Sequence, residues 1–252
     1  MKEQLKLLSK DLEHCDIVII LDACRCDYFR KYSKIDCECV ISPASYTLGW
    51  LKVVSPLFQR YEFVAISSHP YINSKGDVLG HGYDARPYFK YIVDLWNFYY
   101  DKSIGTVHPV HVYNTFKKMF NMLKKFKMLI WFLQPHLPPA TRSLYQYFKC
   151  DYNDIDIVKL IERGVLKDSD YVEMYIENLQ LVLDYTYKIL DYCRDRKEVV
   201  GKREINVLIT SDHGEFLGEE IELNGKKVKV FSHPGNISHP ILRTVPYALV
   251  SL

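Results

Sequence analysis

Three stretches of the chain are apolar without alternation and stop abruptly at polar residues: Asp16–Asp22 (DIVIILD), Lys127–Leu133 (KMLIWFL) and Glu204–Thr210 (EINVLIT). Runs this short, rich in β-branched and aromatic side chains, predict strands buried on both faces, as in a parallel sheet. Weaker runs predict strands at Cys37–Ile41, Glu62–Ser67 and Val245–Val250. Elsewhere the period changes. In Asp170–Cys193 the residues Val172, Ile176, Leu179, Leu183, Tyr187 and Leu190 step by three or four, which marks one face of a long helix. Asp168 or Ser169 is placed to cap its start. Val110–Phe126 carries a similar stripe, and Asn224-Gly225, between EEIEL and KKVKVF, predicts a hairpin. Strands alternating with helices predict an α/β fold with a mostly parallel central sheet and helices on both faces.

The 252 residues suit a single domain, 1–252, with insertions at about 68–109 and 137–169. The first insertion is rich in aromatics, glycine and proline; loops that long in a compact domain are usually functional. Charge narrows the partners. With 33 basic and 31 acidic residues there is no one-signed field to favour nucleic acid or an anionic membrane. No apolar run is long enough to span a bilayer, and residues 1–14 are charged throughout, so a soluble, cytoplasmic protein is expected. Seven cysteines, none in a C-x-x-C pair, are expected to be free buried or half-buried thiols.

In a parallel sheet, ligands bind beyond the carboxyl ends of the strands. The residues found there are Asp22-Ala-Cys-Arg, Gln134-Pro-His136 and Ser211-Asp-His-Gly-Glu215. Asp212 and His213, side by side at a strand end, can bend toward one cation, and their oxygen and nitrogen donors suit zinc, manganese or iron. The same pair also reads as a capping Asp and a surface His. Asp22 is an acidic ligand on the same rim or a cap for the segment near Cys24. In Ser42-Pro-Ala-Ser-Tyr-Thr47 a hydroxyl precedes a helix starting near Leu48, suited to attack on an anion or to plain capping by Ser45 or Thr47. Arg25 and Asp27 are expected to pair locally. Cys24 is a rival nucleophile that has no His base nearby in sequence.

Taken in order, DIVIILDACRCDYF (16–29), SPASYTLGWL (42–51), WFLQPHLP (131–138), VLITSDHGE (207–215) and SHPGNISHPILRTVPYALV (232–250) resemble the alkaline phosphatase and sulfatase superfamily. The closest likeness is to archaeal sulfatase-like hydrolases with similar D-A-C-R and S-P-A-S-x-T segments. The resemblance implies that Asp22, Asp212 and His213 bind the principal metal and that Thr47 is the nucleophile. It places His136 on the substrate's anionic group, and His233 or His239 at a last metal-binding or substrate-binding position, His233 being favoured. It implies one or two zinc or manganese ions and a small anionic ester as substrate.

Two departures sharpen this. After Thr47 the chain reads Leu-Gly-Trp, without the Pro-Ser-Arg that formylglycine formation needs, which argues against a true sulfatase. Gln134 stands where two-metal relatives place an Asp, which argues against a full second metal site. The expected function is a metal-dependent phosphomonoesterase or phosphodiesterase. The alternatives are a phosphoryl transferase or mutase of the same fold, and a non-catalytic member that binds metal or a phosphorylated ligand.

Overall fold

A computed structural model of the chain describes residues 1–143, 157–223 and 225–252. Its centre is a seven-stranded sheet in the order β2 (Glu38–Ile41), β11 (Thr244–Ser251), β8 (Asn206–Thr210), β1 (Ile17–Asp22), β7 (Lys127–Pro135), β3 (Phe63–Ser67) and β4 (Tyr91–Asp94). β1 lies parallel between β7 and β8, with Ile19 opposite both Ile130 and Ile209. β3 runs parallel to β7 and to β4. β11 is antiparallel to both β8 and β2, so it alone runs against the rest.

All six residues of β1 are buried, which is why its sequence shows no alternation. Ile17, Ile19 and Leu21 face α5 (Pro109–Met119) and α7 (Asp168–Arg196), packing with Phe116, Leu179, Val182 and Leu183. Val18 and Ile20 face α1 (Gln4–Asp11) and α3 (Thr47–Gln59), packing with Leu8, Trp50, Leu51 and Val54. Each such side chain contributes about 1.5–3 kcal/mol by leaving water. The central strand is thus clamped between two apolar layers, and its carboxyl end is held rigidly where Asp22 emerges.

The three strong and three weaker predicted strands all form. Several local expectations change. The start of α7 is capped by neither Asp168 nor Ser169: the Asp170 carboxylate accepts from the Lys167 backbone N–H at 2.7 Å. α3 has Tyr46 at its N-cap and Thr47 as its first residue, so neither Ser45 nor Thr47 is the cap. The Val110–Phe126 stripe is helical only to Met119 and continues as a 3₁₀ turn, Phe120–Lys124. Cys26, opening α2 (Cys26–Tyr32), is disulfide-bonded to Cys39 in β2, whereas Cys15, Cys24, Cys37 and Cys193 are free. Cys26 and Cys39, 13 apart in the chain, are brought together because α2 packs on β11, the strand beside β2.

The 68–109 insertion supplies the edge strand β4, a short helix α4 (Leu95–Tyr99) and a small two-stranded ribbon, β5 (Tyr100–Asp101) with β6 (Thr106–Val107). Of the 137–169 insertion, α6 (Ile157–Glu162) is described. The predicted hairpin joins β9 (Phe216–Leu223) to β10 (Lys226–Ser232), with Gly225 at φ 75°; Asn224 lies outside the described residues. Among the described residues no helix is long and apolar enough to cross a membrane.

Candidate active site

β1 and β8 end side by side, and the chain turns sharply after each. Ala23 adopts a left-handed conformation, φ 58°, immediately after Asp22. That conformation costs a residue with a Cβ about 1–2 kcal/mol, and the neighbouring contacts offset it. The Ala23 N–H donates to Asp212 Oδ1 at 3.2 Å, and the Cys24 N–H donates to Ser211 Oγ at 2.8 Å. The two loops are therefore cross-tied, with Asp22 and Asp212 both wholly buried between them.

Gly214 makes the second turn possible. A Cβ there would lie 2.2 Å from the backbone carbonyl oxygen of Ile241, in α8 (Pro240–Arg243). Its N–H donates to Leu242 O at 2.7 Å, so neither side has room to yield. Gly214→Ala is expected to lower stability by roughly 3 kcal/mol, read from the shift in denaturant midpoint. A variant as stable as the native protein would mean that the α8 segment is free to move away.

His213 Nδ1 lies 2.8 Å from Gly214 O, and since a carbonyl only accepts, Nδ1 carries the proton. The lone pair of Nε2 then points inward, 3.3 Å from Asp212 Oδ2, 3.8 Å from Asp22 Oδ1 and 3.1 Å from Thr47 Oγ1. Burial pushes the imidazole well below its ordinary range, so it is neutral. Asp22 Oδ1 and Asp212 Oδ2 are buried and have no hydrogen-bond partner. Burial, and then the charge of Asp212, hold the Asp22 carboxyl well above the usual range; burial lifts Asp212 to about 6. Three donor atoms facing one point, two of them carboxylate oxygens without a partner, are what a divalent cation satisfies. The donor set, two carboxylates, an imidazole and a hydroxyl, fits zinc or manganese, with the Gly214 carbonyl orienting the His ring.

Thr47 opens α3 and is only 6% exposed. It enters the cluster because the loop after β2 packs against the loop after β8: the Ser42 hydroxyl donates to Asp212 O. The free N–H groups of the first turn of α3 make its surroundings attractive to an anion.

A second group of side chains flanks the first. Glu215, wholly buried, accepts from Tyr171 Oη at 2.7 Å and from His233 Nδ1 at 2.6 Å. Burial alone would lower the His233 pKa; the charge of Glu215 and its hydrogen bond outweigh that and raise it. The His233 ring lies tilted 4.3 Å from the His213 ring and edge-on 4.9 Å from that of His136. His136 Nδ1 donates to Leu137 O, and burial and the neighbouring His233 bring it down to about 4. His213, Glu215 and His233 together also have the spacing of a metal-binding trio. His239 is not brought to this cluster: its Nδ1 accepts the Ile241 N–H at 3.2 Å, capping α8, and its ring packs on Phe216. Gln134 gives its amide N–H to Thr106 Oγ1 and Val107 O in β6, at 3.2 and 3.3 Å.

Two members of the site escaped sequence reasoning. Glu215 stood inside the Ser211–Glu215 motif yet reads there as a loop acid; the signal was its offset of two from His213. His69 follows β3 and gave no signal beyond its place at a strand end. Its Nδ1 accepts the Tyr71 N–H at 3.1 Å, which puts the proton on Nε2, 3.7 Å from Asp22 Oδ2. Burial, with the charges of His136 and His233, lowers it to about 3, so it is a neutral donor. The Trp131 indole N–H donates to the same Asp22 oxygen at 2.9 Å. His69→Ala is expected to cut kcat/KM about a hundredfold with metal content unchanged, measured by kinetics beside elemental analysis. Loss of metal with loss of rate would instead make His69 a ligand.

Arg25 pairs with Asp27, at 2.8 Å, and with Glu219, as a local tie. Cys24 is wholly buried and burial holds its thiol well above the ordinary range, which removes it as a nucleophile.

No protein-family model matches the sequence, and no curated protein matches it. Solved structures do. The soluble domain of lipooligosaccharide phosphoethanolamine transferase A from Neisseria meningitidis superposes with a TM-score of 0.59 at 15% identity, covering 93% of this chain and 75% of that one. The fold is that of the alkaline phosphatase-like enzymes. The periplasmic domain of Escherichia coli EptC, solved as a zinc complex, gives 0.56 at 12% identity, covering 92% and 71%. The corresponding domain of the phosphoethanolamine transferase EptC from Campylobacter jejuni gives 0.52 at 15%, covering 93% and 78%. These bacterial structures show a shared fold and carry nothing on the archaeal likeness.

Proposed function

We propose that the chain is a metal-dependent phosphoryl transferase, with Thr47 as nucleophile and a small anionic phosphate ester as donor. The observation that carries it is the convergence of Thr47 Oγ1, His213 Nε2 and the two unpartnered carboxylate oxygens of Asp22 and Asp212. Transfer is preferred to the hydrolysis expected from sequence because two of the structural neighbours above, from Neisseria meningitidis and Campylobacter jejuni, are named as transferases.

Asp22, Asp212 and His213 would hold a zinc or manganese ion, which when bound neutralises charge on an alkoxide and a phosphoryl oxygen. The chain's own residues do the rest. Thr47 Oγ1 forms a bond to phosphorus as the bond to the leaving oxygen breaks; an acceptor hydroxyl then attacks the same phosphorus and frees Thr47. His233, whose protonated form Glu215 favours, donates to the phosphoryl oxygens, and neutral His136 and His69 add polar contacts without charge. The burial of Thr47 keeps bulk water from competing for the intermediate.

The test is an assay of aryl phosphate mono- and diesters, with zinc or manganese added back after chelation and glycerol present as acceptor. The expected result is metal-dependent aryl release with phosphorus recovered on glycerol. Recovery solely in water would restore the phosphoesterase reading, and the absence of bound metal under every condition would overturn both.

A further inference from the structure

A second set of hydrogen-bond donors lies beside the nucleophile's loop, on the side away from the histidine cluster's partners. A cavity of about 290 Å³ is lined by Ser45, Tyr46, Gly49, Ser238 and Arg243, and no Asp or Glu takes part in its lining. Arg243 donates Nε to Ser42 O at 2.8 Å, which fixes the plane of its guanidinium. Among the described residues its two terminal NH₂ groups make no hydrogen bond or ion pair, although the exposed Glu3 carboxylate is near enough to feel its charge. Ser45 is 7% exposed, and among the described residues its hydroxyl has no hydrogen-bond partner.

The cavity is mechanically tied to the reaction centre. Ser42 receives Arg243 Nε on its carbonyl and sends its own hydroxyl to the Asp212 carbonyl, while Ser45 precedes Thr47 by two residues. A Cβ on Gly49 would come within 3.0 Å of the Tyr46 ring, so glycine there lets Tyr46 lie along the cavity wall. The first turn of α3 adds its positive end to the same side.

We infer that this cavity binds a second anionic group of the substrate, a phosphate-class oxyanion separate from the phosphoryl group that Thr47 attacks. The fixed guanidinium fork takes two of its oxygens and the Ser45 hydroxyl a third. The inference rests on the transferase reading for the group's membership of a substrate, but not for the binding itself.

The experiment is calorimetric titration of the full chain with inorganic phosphate, in a His136→Ala/His233→Ala background that removes binding at the histidine cluster. Saturable phosphate binding is expected there, weakened about tenfold by Arg243→Gln and severalfold by Ser45→Ala, with Arg243→Lys intermediate. Ser45→Ala removes one hydroxyl and keeps the Arg243–Ser42 bond, so it stands if Arg243→Gln fails to fold. No phosphate binding in that background, or binding that all three substitutions leave unchanged, overturns the inference. If the Arg243-dependent binding is present while Thr47→Ala retains full turnover, the transferase reading falls and the binding site stands.

Discussion

Thr47→Ala is expected to lower kcat by about four orders of magnitude or more while the bound metal content stays as in the native protein. The size follows from the site's having no second nucleophile. Ser45 belongs to a different cavity, and Cys24 is buried with its thiol held protonated. Thr47 Oγ1 alone stands at hydrogen-bond distance from the metal-facing nitrogen of His213, at 3.1 Å. Thr47→Ser keeps the oxygen and loses only a methyl group, so it should restore most of the rate. The measurement is single-turnover kinetics with acid trapping of the phosphorylated protein, followed by peptide mapping. Label on Thr47 in the native protein and none in Thr47→Ala is the expected pattern. Label on any other residue would end the proposal for Thr47, and unimpaired turnover in Thr47→Ala would end the nucleophilic mechanism.

Asp22→Asn is expected to act in opposite directions with and without metal. In the metal-free protein, two buried carboxylates face one neutral imidazole, and removing one charge should stabilise the fold by roughly 1–3 kcal/mol. The amide keeps an oxygen to accept the Trp131 indole N–H, so packing changes little. The same change removes a ligand and should weaken metal binding by at least about a hundredfold. The pH dependence follows with its sign. Asp212 has a folded pKa of about 6 against an ordinary 3.8, and Asp22 is raised in the same direction. A raised folded pKa gives stability that is complete below the unfolded value and disappears as pH rises through the folded one. Metal-free native protein should therefore lose about 3 kcal/mol between pH ~4 and pH ~6 from Asp212 alone. Metal-loaded protein should instead gain stability over that window, because the ion selects the ionised carboxylates. Thermal melts across pH, with and without chelator, decide it. A metal-free Asp22→Asn variant less stable than the native chain would show that the cluster needs its charge for structure and not for metal.

The central strands were legible because each is decided locally: β1, β7 and β8 are buried on both faces, and unbroken apolar runs have few other fates. Asp22, Asp212 and His213 were legible for a related reason, since a charged residue ending such a run must sit on the sheet's rim. The sequence alone therefore determined the parallel core and the rim on which Asp22, Asp212 and His213 come together. It also carried Thr47 in a recognisable segment. Other features depend on contacts distant in sequence. His69 and Glu215 joined the site because β3 and the loop after β8 converge, and His239 left it because its ring nitrogen was taken by the Ile241 N–H. Cys26 and Cys39 bonded because α2 packs on β11, the strand beside β2. Which lone pair His213 turns inward depends on the Gly214 carbonyl, and Gly214 itself answers to the Ile241 carbonyl 2.2 Å from where a Cβ would stand. Periodicity fixes which face of an element is buried, but not which neighbour meets it. Ring orientation, protonation and the emptiness of Arg243's hands are decided by that neighbour, and so only by the tertiary structure.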